Sequence, residues 1–242
     1  MRLLIVIPAY NEQDALAGVL SEIRALPPVD GVELSTVVID DGSADRTSDV
    51  AREGGARVVR LCRNLGIGGA VQSGLRLARR EGFDYAVQVD GDGQHPPAEI
   101  AKLVAAAGDA DLLIGTRFSS GDKANFKSTP LRRLGSWWLR VLLRILTRLR
   151  VSDPTSGFRL YGPRALALFD ENYPYDFPEP ESLAVARKAG LVVRETQVTM
   201  RTRQGGSSSI AGFSTIYYML KVTTAVVLTY VRSKGRNGAT SR

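Results

Sequence analysis

The chain has 242 residues, 44% of them hydrophobic, enough to bury a sizeable core within one domain. Its single cysteine, Cys62, excludes an internal disulfide and any cluster of thiolate ligands, so a reducing compartment is expected and Cys62 reads as a small apolar filler. The formal charge of +7 is local: Arg117 to Arg150 hold nine Lys or Arg against one acid, Asp122, while the rest is slightly acidic, which calls for an anionic partner but, without a reading motif, not for nucleic acid.

Leu3 to Ile7 is a short apolar run closed by Pro8, lacking the long apolar core of a secretory signal. IPAYNE, Ile7 to Glu12, then opens a helical pattern carried by Leu16, Val19, Leu20 and Ile23. Pro27, Pro28 and Gly31 break it before a second strand, Leu34 to Ile39, which runs into DDGSADRT, Asp40 to Thr47. Gly42 and Ser43 make a turn there and Asp45 can cap the next helix, so at least one of Asp40 and Asp41 is expected to be structural. A third strand near Arg57 to Leu61 precedes NLGIGGAVQSGL, Asn64 to Leu75. These glycines lack the G-x-G-x-x-G spacing and follow the third strand rather than the first, so they suit a helix start packed beneath a nucleotide better than a dinucleotide fingerprint.

The chain is organised around YAVQVDGDGQHPP, Tyr85 to Pro97. Alternating Tyr85, Val87 and Val89 predict a strand that Gly91, Gly93 and Pro96-Pro97 stop, leaving Asp90 and Asp92 side by side in a loop. Two carboxylates one residue apart, with Gln94 able to add a third oxygen, suit Mg²⁺ or Mn²⁺, hard cations that keep positions open for substrate phosphates. The alternative is a solvated turn, and His95 beside it reads either as a ligand or gate or as ordinary turn chemistry. A helix from about Pro97 to Ala107, a strand Asp111 to Gly115 and Thr116-Arg117-Phe118 follow. Strand and helix alternating in this way imply an α/β fold, with a mainly parallel sheet and helices on both faces. The strand ends at Pro8, Asp40, Asp90 and Thr116 should converge on one edge, where nucleotide and metal chemistry is expected.

Leu131 to Val151 puts Arg132, Arg133, Arg140, Arg144, Arg148 and Arg150 on one half of a helical wheel, with Leu134, Trp138, Val141, Leu142, Ile145, Leu146 and Leu149 on the other. With two tryptophans and no acid, this basic amphipathic helix suits the headgroup region of an anionic membrane; a helix packed on the sheet with a solvated Arg face is the other reading. DPTSGFRLY, Asp153 to Tyr161, is a turn and short strand, and GPRALALF starts another helix. Asn172 to Gly190 then places Glu179 and Glu181 on the first turn of a helix, where acids suit the dipole. A last strand, Leu191 to Met200, leads into RTRQGGSSSI, Arg201 to Ile210, a basic loop equipped to close over a phosphate. Ile216 to Val231 is mostly apolar all round but interrupted by Lys221 and short of the roughly 20 residues of a membrane span. It reads as a helix lying in, dipping into or docking at a membrane, or as a buried core helix.

Taken together, IPAYNE, VVIDDGSADRT, NLGIGGAVQSGL, VQVDGDGQHPP, GTRF and DPTSGFRLY resemble, in that order, the family 2 glycosyltransferases of GT-A fold. The branch they look like is the dolichol-phosphate mannose synthases and related bacterial polyprenyl-phosphate glycosyltransferases. The resemblance implies a single Rossmann-like GT-A domain over 1–212 and a membrane- or partner-associated helix and basic tail over 213–242. It also implies an inverting, metal-dependent transfer of a hexose from a UDP- or GDP-linked donor to a polyprenyl phosphate, at the cytoplasmic face of the membrane. Pro8, Tyr10, Glu12, Asp40, Asp41 and Gly68 would then bind the nucleotide sugar, and Asp90, Asp92 and Gln94 the Mg²⁺ or Mn²⁺, with Asp90 also on the sugar side. Arg117, Arg132 or Arg133, Ser136 and Arg203 would gather phosphates, including that of the lipid, with Asp90, Asp92, Arg117 and Arg203 carrying the catalysis. The tail looks like a bacterial subgroup that works beside a small integral-membrane protein. The R-x-x-G-x-S-K pattern of the mannose synthases appears here as Arg203-Gln-Gly-Gly-Ser-Ser-Ser, without the lysine, which leaves the sugar open. For a hydroxyl acceptor, such as a saccharide or a protein, Glu179 or Glu181 would have to take the proton. A non-catalytic nucleotide-sugar-binding or scaffold protein is the remaining class.

Overall fold

The computed structural model describes residues 1–117, 130–201 and 214–236, the side chains at 130–133, 214–218 and 233–236 excepted. Seven strands form one sheet in the order β3-β2-β1-β4-β6-β5-β7: β1 Arg2–Ala9, β2 Glu33–Asp40, β3 Arg57–Arg60, β4 Tyr85–Gln88, β5 Leu112–Thr116, β6 Arg159–Tyr161 and β7 Val193–Gln197. Every pairing is parallel except those of β6, which runs antiparallel between β4 and β5. The order reverses at β1, where the chain passes out to β2 and β3 on one side and to β4 on the other. Crevices at such switch points, outside the carboxyl ends of the strands, are where open α/β sheets bind ligands.

Alternation along the strands supplies two cores, one on each face of the sheet. Leu3, Ile5 and Ile7 of β1 point to the face covered by α1 (Gln13–Arg24), α2 (Thr47–Glu53) and α4 (Ile100–Ala105). Leu4 and Val6 point to the other, covered by α3 (Gly66–Arg80), α5 (Pro130–Thr147), α6 (Pro163–Glu171), α7 (Pro178–Lys188) and α8 (Ser214–Arg236). At Gly74 α3 sits so close to β1 that a Cβ there would come within 2.2 Å of Val6 Cγ1.

Two elements differ from the sequence reading. The expected helix over Pro97 to Ala107 is a 3₁₀ turn, Pro97–Glu99, followed by the short α4. The basic helix stops at Thr147 rather than Val151, because Arg148 takes the left-handed conformation (φ 58°) and the Thr147 hydroxyl, itself donating to the Leu143 carbonyl, accepts the Leu149 amide. Its apolar residues divide between two faces. Gly135, Leu139 and Leu143 face inward, with Met219 of α8 close against Gly135, whereas Leu134, Trp138 and Ile145 stand exposed.

Gly74→Ala is expected to lower stability by up to about 2 kcal/mol, since overpacking costs about 1–3 kcal/mol and alanine returns about 1 in helix propensity. Urea denaturation measures this, and adding Val6→Ala should restore part of the loss.

Candidate active site

The rim on the β1–β2 side is built by two turns tied to each other. Asn11, in the left-handed conformation (φ 55°), donates its amide to Ser43 Oγ at 3.0 Å and accepts the Ala44 amide on Oδ1 at 2.9 Å. Glu12 donates its amide to Thr47 Oγ1 at 2.9 Å, and Gln13 donates to Asp45 Oδ2 at 3.2 Å. The IPAYNE and DDGSADRT turns are therefore one crossed unit. Within it the two adjacent aspartates separate in role. Asp40 is fully buried, accepts the Ser43 amide at 2.8 Å and the Ser48 hydroxyl, and does not line the cavity. Burial pushes its carboxyl up, but the hydrogen bonds from Ser43 and Ser48 and the Arg60 charge outweigh it and hold the pKa below the usual value. Asp41 faces the cavity. It accepts the Leu65 amide at 2.7 Å, yet burial outweighs its hydrogen bonds and raises its pKa, with Asp40 adding to the rise.

The cavity has a volume of about 420 Å³ and is lined by Pro8, Ala9, Tyr10, Glu12 and Asp41, by Asn64, Gly66, Ile67 and Ala70 at the start of α3, by Asp90, Gly91 and Asp92, and by Glu179. The glycine-rich start of α3 thus does lie beneath the pocket. Gly68 does not line it. A Cβ there would come within 2.5 Å of the Pro174 carbonyl oxygen and 2.7 Å of Tyr175 Cα, so this glycine permits close packing of α3 on the 174–175 backbone. Asp40 stands just behind the lining, in the turn that Ser43 closes.

Beyond β4 the loop bends around Gly93 (φ 76°), and Asp92 Oδ1 accepts the Gln94 amide at 3.0 Å. Asp90 and Asp92 both reach the cavity; Gln94 and His95 are not among the residues lining it. His95 is buried, its Nδ1 accepts the Asp90 amide at 3.1 Å, and its ring stacks on Phe158 at 5.0 Å. These contacts account for His95 as a brace of the loop. Among the described residues no three His, Cys, Asp or Glu side chains gather into a metal cluster. The Asp90–Asp92 pair nevertheless presents hard oxygen donors on one wall of an open cavity, which fits a divalent cation that shares its shell with substrate phosphates.

The two acids of α7 also separate. Glu181 accepts the Phe177 amide at 3.0 Å and the Thr229 hydroxyl at 2.8 Å, so it caps its own helix and anchors α8. Glu179 lines the cavity; burial raises its pKa against the pull of Arg159, and Asp90 adds to the rise. Sequence reasoning missed Arg159, which is fully buried and donates to the carbonyls of Ser156 (2.7 Å), Pro154 (3.3 Å) and Glu179 (2.8 Å) and to Ser182 Oγ (2.6 Å). It fastens the DPTSG turn to the backbone that carries Glu179. The signal was an arginine inside an otherwise apolar strand, Phe158 to Tyr161. Arg117 meets the same turn through a bidentate pair with buried Asp153, Nε to Oδ2 at 2.8 Å and Nη2 to Oδ1 at 3.1 Å.

Ser136 lies on α5 and is not a lining residue. Arg132 and Arg133 belong to the same helix with side chains outside those described, and Arg203 and most of its loop lie outside the described residues. The open face of α5 carries Leu134, Trp137, Trp138 and Ile145 beside Arg140 and Arg144. Neighbouring α8 buries Val222 and Val226 and exposes Leu220, Leu228 and Val231 beside Lys221 and Arg232. Trp138 Nε1 joins the pair by donating to Thr223 Oγ1 at 2.9 Å. Neither helix sequence contains an acid, and among the described residues no helix is long and apolar enough to cross a membrane.

Comparison with known proteins agrees with this architecture. The family model described as glycosyl transferase family 2 matches residues 4–168. The undecaprenyl-phosphate mannosyltransferase of Micrococcus luteus is 32% identical over 222 residues, covering 88% of this chain and 88% of that protein. The polyprenol monophosphomannose synthase of Mycolicibacterium smegmatis is 30% identical over 233 residues, covering 91% and 85%. In three dimensions the chain is similar to glucosyl-3-phosphoglycerate synthase of Mycobacterium tuberculosis, solved with Mn²⁺, uridine diphosphate and phosphoglyceric acid. The TM-score is 0.68 at 22% identity, covering 96% of this chain and 78% of that one, a likeness of fold.

The raised pKa of Glu179 makes a stability prediction with a definite sign. Between the ordinary glutamate pKa and the raised native value the folded state holds more protons than the unfolded one, so this residue's contribution falls as pH rises. Glu179→Gln should therefore unfold at higher temperature than the parent at pH 8, with the difference shrinking toward pH 4 in thermal melts.

Proposed function

The chain belongs to glycosyl transferase family 2 and is a nucleotide-sugar glycosyltransferase of the dolichyl-phosphate mannosyltransferase type, and from this premise we propose that it moves a hexose from a UDP- or GDP-linked donor to a polyprenyl phosphate, inverting the anomeric carbon. The observation that carries the proposal is the meeting of Asp41, Asp90, Asp92 and Glu179 in one cavity at the carboxyl edge of the sheet. Tyr10, Glu12 and Asp41, with Pro8 beneath them, are assigned to the base and ribose. Asp90 and Asp92 would hold Mg²⁺ or Mn²⁺, which when bound neutralises charge on the departing diphosphate. Gln94 contributes through its backbone to the shape of that loop.

As the bond from the anomeric carbon to the diphosphate oxygen breaks, its electron pair stays on that oxygen. A phosphate oxygen of the acceptor forms the new bond from the opposite face. The acceptor phosphate is already ionised near neutral pH, so no proton has to be removed and positioning carries the rate. Arg117, pre-oriented by Asp153, together with Arg132, Arg133 and Ser136 of α5 and with Arg203, is proposed to gather the phosphates. The open α5–α8 face, apolar and cationic with no acid, is proposed to rest peripherally on the anionic cytoplasmic leaflet, directly or beside a small integral-membrane protein.

A second reading, with a saccharide or protein hydroxyl as acceptor, is favoured by Glu179, a carboxylate of raised pKa positioned to take a proton. Glu179→Gln separates the two. Turnover persists if a phosphate attacks, and falls by about 10²-fold or more if a hydroxyl does.

Asp92→Asn is expected to abolish metal-dependent turnover with the fold intact, measured by mass spectrometry of the product from UDP- and GDP-sugars and a short polyprenyl phosphate. Retained turnover would remove the metal assignment. Reversing Arg140 and Arg144 to Glu should weaken sedimentation with phosphatidylglycerol vesicles by roughly 30-fold or more, at about 1 kcal/mol per basic residue removed, and leave the weak binding to neutral phosphatidylcholine unchanged.

A further inference from the structure

Asp90 is held by groups that the proposed function does not use. Gln88, the last residue of β4, is buried, and its Nε2 donates to Asp90 Oδ1 at 3.3 Å. Its Oε1 accepts the Tyr161 hydroxyl at 3.2 Å, and the Tyr161 oxygen lies 3.2 Å from that of Tyr173. A carboxylate only accepts, so the amide must turn its nitrogen to Asp90 and its oxygen to Tyr161. Tyr161 thereby uses its proton on Gln88 and takes that of Tyr173, so the chain Tyr173, Tyr161, Gln88, Asp90 runs in one direction. Burial raises the pKa of both phenols, so they remain donors across the working range. Gly157 closes the other side. A Cβ there would lie 2.9 Å from Gln88 Nε2 and 3.3 and 3.4 Å from the two Asp90 oxygens. The backbone of Gly157 is not in the left-handed region, so the glycine is needed for space and not for conformation.

We propose that Gln88, oriented by Tyr161 and given room by Gly157, is a positioning residue that fixes the Asp90 carboxylate for cation binding. The inference rests on the reading of Asp90 as an ion ligand. A carboxylate with one oxygen tied to a buried amide enters a coordination shell without first losing rotamer freedom. Outer-shell hydrogen bonds of this kind typically change metal affinity by about 10- to 100-fold.

The test is Mn²⁺ titration followed by electron paramagnetic resonance, with UDP and with GDP present, on the full chain. Gln88→Leu removes the donor but leaves the Tyr161–Tyr173 pair of hydroxyls one acceptor short. The double variant Gln88→Leu, Tyr161→Phe is therefore measured beside it, with melting temperature and with nucleotide affinity in EDTA. The expected result is Mn²⁺ affinity at least about tenfold weaker in both variants, with metal-free nucleotide affinity unchanged and the double variant folded. Gly157→Ala should weaken Mn²⁺ in the same direction. Mn²⁺ affinity of the double variant within about twofold of the parent, while Asp90→Asn has lost it, overturns the inference and leaves the ion assignment standing. Intact Mn²⁺ binding in Asp90→Asn would instead overturn that assignment and the inference together.

Discussion

One antiparallel strand sets the geometry of the site. Because β6 enters between β4 and β5 against the direction of its neighbours, Arg159 is paired with Gln88 and Leu160 with Val87. The residues just before β6 are consequently carried to the end of β4, where the chain turns into the Asp90–Asp92 loop. A parallel strand in the same slot would deliver its amino end to the opposite edge. Gly157 over the Asp90 carboxylate, Phe158 under His95 and Arg159 behind Glu179 all follow from this single reversal.

The same reversal explains how buried charge is tolerated beside an apolar sheet. Arg159 has no solvent exposure, yet its guanidinium is met by three carbonyls and a hydroxyl, and the Glu179 carboxylate lies within electrostatic reach. Asp153 is buried but shares two hydrogen bonds with Arg117. Satisfied in this way, such groups fix one arrangement of the loops rather than adding much net stability. The acids around the site differ in proton affinity because their surroundings differ: Asp40 is held low by donors, while Asp41 and Glu179 are pushed up by burial.

Much of this was legible in the residues themselves. Short apolar runs ahead of Pro8 and Asp40 and the alternation ahead of Asp90 located β1, β2 and β4, and the succession of strands and helices implied their parallel pairing. The pocket carboxylates Asp41, Asp90 and Asp92 lay at those strand ends. What the sequence could not separate were neighbours of the same chemistry. Asp40 and Asp41, or Glu179 and Glu181, differ only in which way a turn points them, and that is decided by distant partners such as Ser48 and Thr229. The glycines were equally ambiguous: Gly66 faces the cavity while Gly68 meets the 174–175 backbone. Helical periodicity alone also left the orientation of α5 open, because a wheel divides residues into apolar and basic halves and does not single out the stripe that Gly135, Leu139 and Leu143 bury beside α8.

The docking makes α8 part of the catalytic body. Val222 and Val226 are completely enclosed, Lys188 donates to the Tyr230 carbonyl at 2.8 Å, and Thr229 caps the glutamate two positions beyond Glu179. Cutting the polypeptide ahead of α8 to obtain a more soluble fragment would thus bare the apolar flanks of α5 and α7. It would also strip one hydrogen bond from the turn that holds a pocket acid. The shortened protein would be an opened enzyme rather than a trimmed one.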